Sequence, residues 1–434
     1  PRYEIMQVGE VIALVSTGTG KTFTSLAASE IFFEGAGRSC RLILVPFVHL
    51  STQWYYEMRK FGLNNIIECN SNHRNWYPKL IESINSYRSG LIKELNIVAT
   101  YKSLLSYKFI NAIQRLGSDV FLIADEAHNL GVSSVDISDI DFIDYRLGLS
   151  ATPRRWWDES GTSKLIKYFD KIVFSYDMEE AIRKGFLTEY KYSPIIIDLN
   201  DEEANEFEHL TKKLGKLDWK KKDDREIIKT ILMKRRNVIN NAKDKLIKLE
   251  ELIKDKDTDK ALFYCTPGNL KIVNRMLADR GIRSNVFNYE VSLRQRKIIL
   301  DDLKEGRINS VTAIKCLDEG VDVPGIKSAF FLASTSNPRE FIQRRGRILR
   351  KSEGKILAEI YDFLVIPNMD AYIAEKVIRA EMPRFAEFNR YSINSEENNI
   401  LMRKYLSPYG LEYLIDKLPW EVYEEMKESE RNEI

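Results

Sequence analysis

Two short stretches hold side chains suited to chemistry on anions. Residues 14–22 read LVSTGTGKT and residues 120–128 read VFLIADEAH. In the first, Thr17, Gly18, Thr19 and Gly20 lead into Lys21 and Thr22. The two glycines give the backbone freedom to turn its N–H groups inward on a phosphate chain. A helix pattern begins near Lys21, and its positive end points at the same place. Lys21 can reach terminal phosphates, and the Thr22 hydroxyl can ligate Mg²⁺. The strict spacing G-x-x-x-x-G-K-[ST] calls for glycine at residue 15, where this chain has Val15. A ligand-free strand-to-helix turn would use similar glycines.

In the second stretch Asp125 and Glu126 close an apolar run. Adjacent carboxylates at a buried strand end are costly unless a cation or hydrogen bonds compensate them. A Mg²⁺ carried by phosphates does so. Asp125 is then the expected metal ligand, acting through water. Glu126 is the expected base that orients and deprotonates the water attacking a γ-phosphate. His128 taken alone reads as a structural histidine.

These residues need a scaffold of strands with open carboxyl ends. From residue 10 to about 190, the runs EVIALV, RLILVP, LNIVAT, VFLIAD and YRLGLSAT alternate with helix-patterned stretches. Continuous apolar strands separated by helices indicate a parallel sheet covered on both faces. Ligands of such sheets sit at the carboxyl ends of the strands. The alternation returns after 261 with ALFYCTP, SNVFN, SVTAIKC, SAFFLAS and LAEIYDFLVI. Between these halves Ile228, Ile231, Ile239, Ala242, Leu246, Leu249 and Ile253 mark one face of a long helix. That stretch is lysine-rich, and reads either as a solvated connector or as a positive flank that tracks phosphates.

A cluster of arginines, Arg339, Arg344, Arg345, Arg347 and Arg350, lies in PREFIQRRGRILRK. A solvated basic face is the ordinary reading, although Gly346 between arginines is an odd choice for one. Arg347 and Arg350 are three apart and would share a helix face. Planar guanidinium groups suit a phosphoryl-transfer site that needs cations as charge develops.

The segments STGTGKT, DEAH, LSATP, EGVDVP and QRRGRILR occur in that order. Together they resemble the superfamily 2 helicases and translocases of the DExH branch, nearest in wording to DNA-repair and restriction-type motors. The resemblance runs from residue 11 to about 366. It implies an α/β protein of two RecA-like parallel-sheet domains in tandem, with a helical bridge and a helical C-terminal extension. The implied boundaries are 1–195, 196–258 as a helical bridge or the start of the second domain, 259–368 and 369–434. It implies ATP and Mg²⁺, with Thr22 and Asp125 at the metal. Ser150, Thr152 and His128 would couple hydrolysis to movement. Gly320 and Asp322 would approach the nucleotide. Gln343 would touch the γ-phosphate, and Arg347 and Arg350 would be arginine fingers. Pro46, Thr100 and Thr266 would meet nucleic-acid phosphates. Arg154 and Arg155, beside Trp156 and Trp157, would hold phosphate and stack bases, or the tryptophans would bury against the helical bridge. DNA is favoured over RNA as the partner, with a nuclease subunit as a possible second partner. The wording also resembles antiviral defence motors.

Composition narrows the classes. Lys and Arg number 66 against 64 Asp and Glu, so any nucleic-acid surface must be local. Cys40, Cys69, Cys265 and Cys316 show no C-x-x-C spacing and read as buried thiols of a reducing, cytoplasmic compartment. Apolar runs are strand-sized and too short for a membrane span. No secretory signal precedes residue 14, and the chain opens on Pro1.

Overall fold

The computed structural model describes residues 10–15, 20–130, 137–150, 158–218, 220–314, 325–335, 337–422 and 424–425. The chain divides into two compact units, Pro1–Lys184 and Gly185–Ile434. Each is a parallel sheet flanked by helices, as the alternating pattern requires.

The strands of the first unit are β1 (Glu10–Val15), β2 (Ser39–Val45), β3 (Ile66–Cys69), β4 (Glu94–Thr100), β5 (Phe121–Asp125), β6 (Tyr145–Ser150) and β7 (Lys171–Tyr176). They lie in the order β3-β4-β2-β5-β6-β1-β7, every pair parallel. Successive side chains point to opposite faces, and here both faces are buried. Leu42, Leu44, Ile97 and Ala99 pack on one side with Leu80, Ile84 and Phe109. Ile43, Val45, Val98 and Ile123 pack on the other with Leu50, Trp54 and Met58. Those last three step by four along the helix Val48–Phe61, so they form its buried stripe. The thiol of Cys40 is pushed up to about 12 by burial, which keeps it inert.

The second unit holds β8 (Glu189–Ile197), β9 (Ala261–Tyr264), β10 (Ser284–Phe287), β11 (Ser310–Ala313), β12 (Ser328–Phe331) and β13 (Leu357–Val365). Their order is β10-β11-β9-β12-β13-β8, again parallel throughout. Rings stack across neighbouring strands: Phe263 on Phe330 at 4.5 Å and Phe330 on Tyr361 at 4.8 Å.

Two features differ from the sequence reading. β8 pairs with β13 along nine residues, so the chain divides after Lys184 and not at 195. The stretch expected as a long bridging helix is two helices, Lys222–Asn240 and Asp244–Asp255. With the helix Asp201–Leu214, they bury Phe207, Leu210, Ile231, Ile239, Leu249 and Ile253 against Phe263, Phe330 and Phe363. These helices therefore belong to the core of the second unit.

The helical C-terminal region is anchored by buried charge. Arg384, on the helix Ala371–Asn389, donates to Asp362 of β13 at 2.9 Å and to Glu381 at 2.9 Å. The Tyr192 hydroxyl donates to Asp362 at 3.1 Å, and the Lys245 ammonium donates to the Leu332 carbonyl at 2.8 Å. Burial opposes the Arg384 charge, but Asp362 and Glu381 outweigh it and hold the guanidinium above its ordinary value. Replacing Arg384 with Met would strip two buried carboxylates of their guanidinium partner, a loss of about 3–5 kcal/mol. Urea unfolding of Arg384→Met should show that loss.

Lys245 behaves in the opposite sense. Burial pushes its ammonium down to about 8 from 10.5, against the attraction of Glu381. Between those two values the unfolded chain holds a proton that the folded chain has released. Stability from this group therefore rises as pH climbs from about 8 towards 10.5. The buried thiols oppose this trend, so the test is a difference: across that window the denaturation midpoint of the native chain should gain on that of Lys245→Met.

Candidate active site

The order β5-β6-β1 brings three strand ends together. Asp125 lies opposite Leu149, and Ser150 opposite Leu14. The strands carrying the two chemical stretches are thus not neighbours, because β6 lies between them with Ser150 at its tip.

Gly20 precedes the helix Lys21–Phe33 with φ 87° and ψ 25°, a left-handed conformation that a side chain would strain. That turn starts the helix, which orients Lys21 towards β5. Lys21 Nζ and Glu126 Oε1 are 3.5 Å apart, with the side chains only 12% and 15% exposed. The ammonium is buried and makes no hydrogen bond among the described residues.

Glu126 has φ 48° and ψ 51°, a backbone that non-glycine residues seldom adopt. Strain of this kind persists where surrounding structure over-determines it. Here the turn aims Glu126 back at Lys21 while His128 goes inward. His128 is buried, with Nδ1 3.1 Å from Ser150 Oγ and Nε2 3.1 Å from Asn129 Nδ2. The Asn129 amide donates to Nε2, which leaves the ring proton on Nδ1, facing Ser150. The expected contact between the DEAH loop and the end of β6 is present at Ser150.

Asp125 is buried and fully engaged. Its Oδ1 accepts from the Glu126 N–H at 3.0 Å, and its Oδ2 from the Trp54 indole N–H at 2.8 Å. Its backbone carbonyl accepts from the Tyr101 hydroxyl at 2.6 Å. Burial pushes the carboxyl up, the Glu126 charge adds to that, and Lys21 and the Trp54 hydrogen bond oppose it. Sequence reasoning missed Trp54, Tyr101 and Asn129. Trp54 has the spacing of a core residue, and nothing in the spacing tells where its N–H goes.

In the second unit the helix Pro338–Ile348 carries Gln343, Arg344, Arg345 and Arg347, all buried. Arg345 is tied to Glu387 Oε1 at 2.5 Å, a structural pairing. Arg344 lies over the Tyr264 ring at 4.7 Å. Arg350 falls beyond the helix end, in a bridge to Leu187, so it shares no helix face with Arg347.

Among the candidate strand contacts, Pro46 is half-buried at the end of β2. Thr100 is 6% exposed, with its hydroxyl 3.2 Å from Ser103 Oγ. Thr266 caps the helix Pro267–Ala278, accepting from the Asn269 N–H at 3.0 Å and donating to Asn241 Oδ1 at 2.6 Å. Its single proton is therefore not available to a phosphate. Thr17, Gly18, Thr19, Thr152, Arg154, Arg155, Gly320 and Asp322 lie outside the described residues.

Comparison with known proteins agrees with this architecture. The family described as "Type III restriction enzyme, res subunit" matches residues 7–155, and "Helicase conserved C-terminal domain" matches residues 244–352. The DNA 3'-5' translocase XPB2 of Sulfurisphaera tokodaii is 27% identical over 371 residues, covering 80% of this chain and 76% of that protein. A helicase of the Sulfolobus islandicus filamentous virus is 25% identical over 268 residues, 59% of this chain and 44% of its own length. The Pyrococcus furiosus Hef helicase domain superposes with TM-score 0.53 at 18% identity, covering 84% of this chain and 94% of that one. The type ISP restriction-modification enzyme LlaBIII bound to DNA gives TM-score 0.61 at 17% identity, covering 95% of this chain and 32% of that one.

Two parallel-sheet units with these matched halves define a tandem RecA-like motor. The chain belongs to the superfamily 2 helicases and translocases, and is an ATP-dependent enzyme of that class that acts as a nucleic-acid motor.

Ser150→Ala removes the oxygen facing His128 Nδ1. A loss of about 1 kcal/mol in stability is expected from a buried hydrogen bond left half-made, measured by thermal unfolding. Gly20→Ala should weaken nucleotide binding, because its φ is costly for alanine by about 1–2 kcal/mol. Equilibrium titration with a fluorescent ATP analogue checks this.

Proposed function

We propose that the first unit binds Mg²⁺–ATP at the ends of β1, β5 and β6 and hydrolyses it when nucleic acid is bound. The observation that carries this reading is the buried Lys21 ammonium. It faces Glu126 at 3.5 Å and has no hydrogen-bond partner among the described residues. A buried cation with open donors beside two carboxylates suits a metal–triphosphate, whose oxygens fill those donors. Asp125 and Thr22 are the residues that would hold the metal. Bound there, Mg²⁺ would supply positive charge to the transferring phosphoryl group.

The chain's own residues supply the remaining roles. Lys21 binds the terminal phosphates. Glu126 orients the attacking water and takes its proton. His128 and Ser150 tie that base to the end of β6. Gln343, Arg347 and Arg350 are the second unit's proposed contribution to turnover, and Gly320 and Asp322 further nucleotide contacts. Thr17, Gly18 and Thr19 complete the phosphate loop, and Thr152 joins Ser150 in coupling. Arg154 and Arg155 are proposed strand contacts, together with Pro46 and the turn after Thr100.

DNA is the favoured polymer, supported by the printed name of the XPB2 relative, a DNA translocase. Strand movement in DNA repair or antiviral defence is the setting we favour. A second reading, a translocase that moves without unwinding beside a nuclease subunit, is supported by the restriction-type match over residues 7–155. The Escherichia coli type I restriction enzyme EcoAI endonuclease subunit also matches 44% of this chain at 24% identity. Among the described residues, no helix is long and apolar enough to cross a membrane. The buried cysteines are in keeping with a cytoplasmic setting.

The test is ATP turnover with no polymer, single-stranded DNA, duplex DNA and RNA, alongside Glu126→Gln. Stimulation by at least one DNA form is expected, and the variant should bind nucleotide but lose turnover by about 10²-fold or more. Variant turnover close to the native rate would remove Glu126 as the base. Translocation without strand displacement would favour the second reading.

A further inference from the structure

Asp125 collects hydrogen bonds from two elements that begin at the solvent-facing corners of the first sheet. Trp54 Nε1–H donates to Oδ2 at 2.8 Å, and the Tyr101 hydroxyl donates to the backbone carbonyl at 2.6 Å. Both donors are buried. Burial alone does not explain them, since phenylalanine would fill either place.

Each donor leads directly to a corner. Trp54 sits on the helix Val48–Phe61, which starts after Pro46 and Phe47 at the end of β2. Phe47 is 41% exposed and stacks on His49, with ring centroids 5.6 Å and planes 7° apart. Tyr101 opens the turn Tyr101–Leu105 at the end of β4, where Lys102 is exposed. In the order β4-β2-β5 these corners adjoin each other and the strand that ends in Asp125. An exposed aromatic at one corner and an exposed lysine at the end of the adjoining strand are the chemistry that meets a base and a phosphate of one nucleic-acid strand.

We infer that Trp54 and Tyr101 are positioning residues that fix Asp125 from the β2 and β4 corners, so that nucleic acid on those corners sets the carboxylate's aim at the metal. This rests on the reading of the first unit as a nucleic-acid-stimulated ATP site. The helix Val48–Phe61 is a rigid rod, so a shift at Phe47 is carried two turns along to Trp54. Oδ1 is held by the Glu126 N–H at 3.0 Å, so moving Oδ2 turns the whole carboxylate about that bond. Mg²⁺ demands near-ideal octahedral geometry, and misplacement by about 1 Å can cost on the order of 10²-fold in rate.

The experiment compares Trp54→Phe and Tyr101→Phe with the native chain, and uses Met58→Leu as control. Met58 is fully buried on the same helix, one turn beyond Trp54, and contributes only packing. Trp54→Phe should lower the nucleic-acid-stimulated kcat by roughly tenfold, the share of one hydrogen bond to a charged group. It should raise the Mg²⁺ concentration for half-activation and leave KM for nucleic acid near the native value. Tyr101→Phe should narrow the ratio of stimulated to unstimulated rate. Met58→Leu should do none of these, whatever its effect on thermal stability.

A second readout needs no turnover. The Trp54 indole N–H signal, identified by its absence from Trp54→Phe spectra, should shift when Mg²⁺ and a non-hydrolysable ATP analogue are added. It should shift again with a single-stranded oligonucleotide. A signal unmoved by both, with native Mg²⁺ requirement in Trp54→Phe, overturns the inference while leaving the ATP site standing. A native chain that no polymer stimulates removes the underlying reading instead.

Discussion

The chemistry of the first unit depends on how its buried charge is distributed. Asp125, Glu126 and Lys21 meet at the ends of three parallel strands, where water is largely excluded. Parallel strands put their carboxyl ends on one edge, so three short loops can share a small volume. Each charge there raises the free energy of the folded chain unless it is matched. Asp125 is matched by neutral donors on both oxygens. Among the described residues Lys21 is matched only by a long ion pair, and that shortfall is what a triphosphate can fill.

The second unit handles the same difficulty differently. Arg384 is bonded to both Asp362 and Glu381, and Tyr192 adds a third donor to Asp362. That network is closed on itself and belongs to the fold. Perturbed groups cluster at functional sites, yet structural ion-pair networks perturb them equally. The distinction between the two clusters is therefore one of completeness. One has its polar atoms partnered, and the other keeps a buried ammonium with open donors among the described residues.

Much of this was legible in the sequence, and what escaped has physical reasons. The central strands β2, β4, β5, β6, β9, β12 and β13 announced themselves because both faces are buried and their runs are apolar. β3, β7 and β8 lie at sheet edges, and such strands tolerate charge and alternation. β3 carries Glu68, and β8 reads EYKYSPIII. β8 consequently went unread as a strand, and most of its residues fell inside the first domain's implied boundary at 195. The positions of Lys21, Asp125 and Glu126 were legible because loops that bind phosphate constrain residue type at fixed spacing. Trp54 and Tyr101 were not, because a buried aromatic looks the same whether or not its polar tip has a partner. Arg350 was misplaced onto a helix face because a helix end is set by capping geometry that the arginine spacing does not encode.

The central claim is that the open Lys21 ammonium is kept for a nucleotide. It is tested most directly by the melting temperature of the native chain and of Lys21→Met, each with and without Mg²⁺ and a non-hydrolysable ATP analogue. A ligand that binds only the folded chain stabilises it, by about 2.7 kcal/mol at a hundredfold excess over Kd. The native chain should therefore melt several degrees higher with the analogue, and Lys21→Met should show no such rise. An equal rise in both proteins would contradict the account.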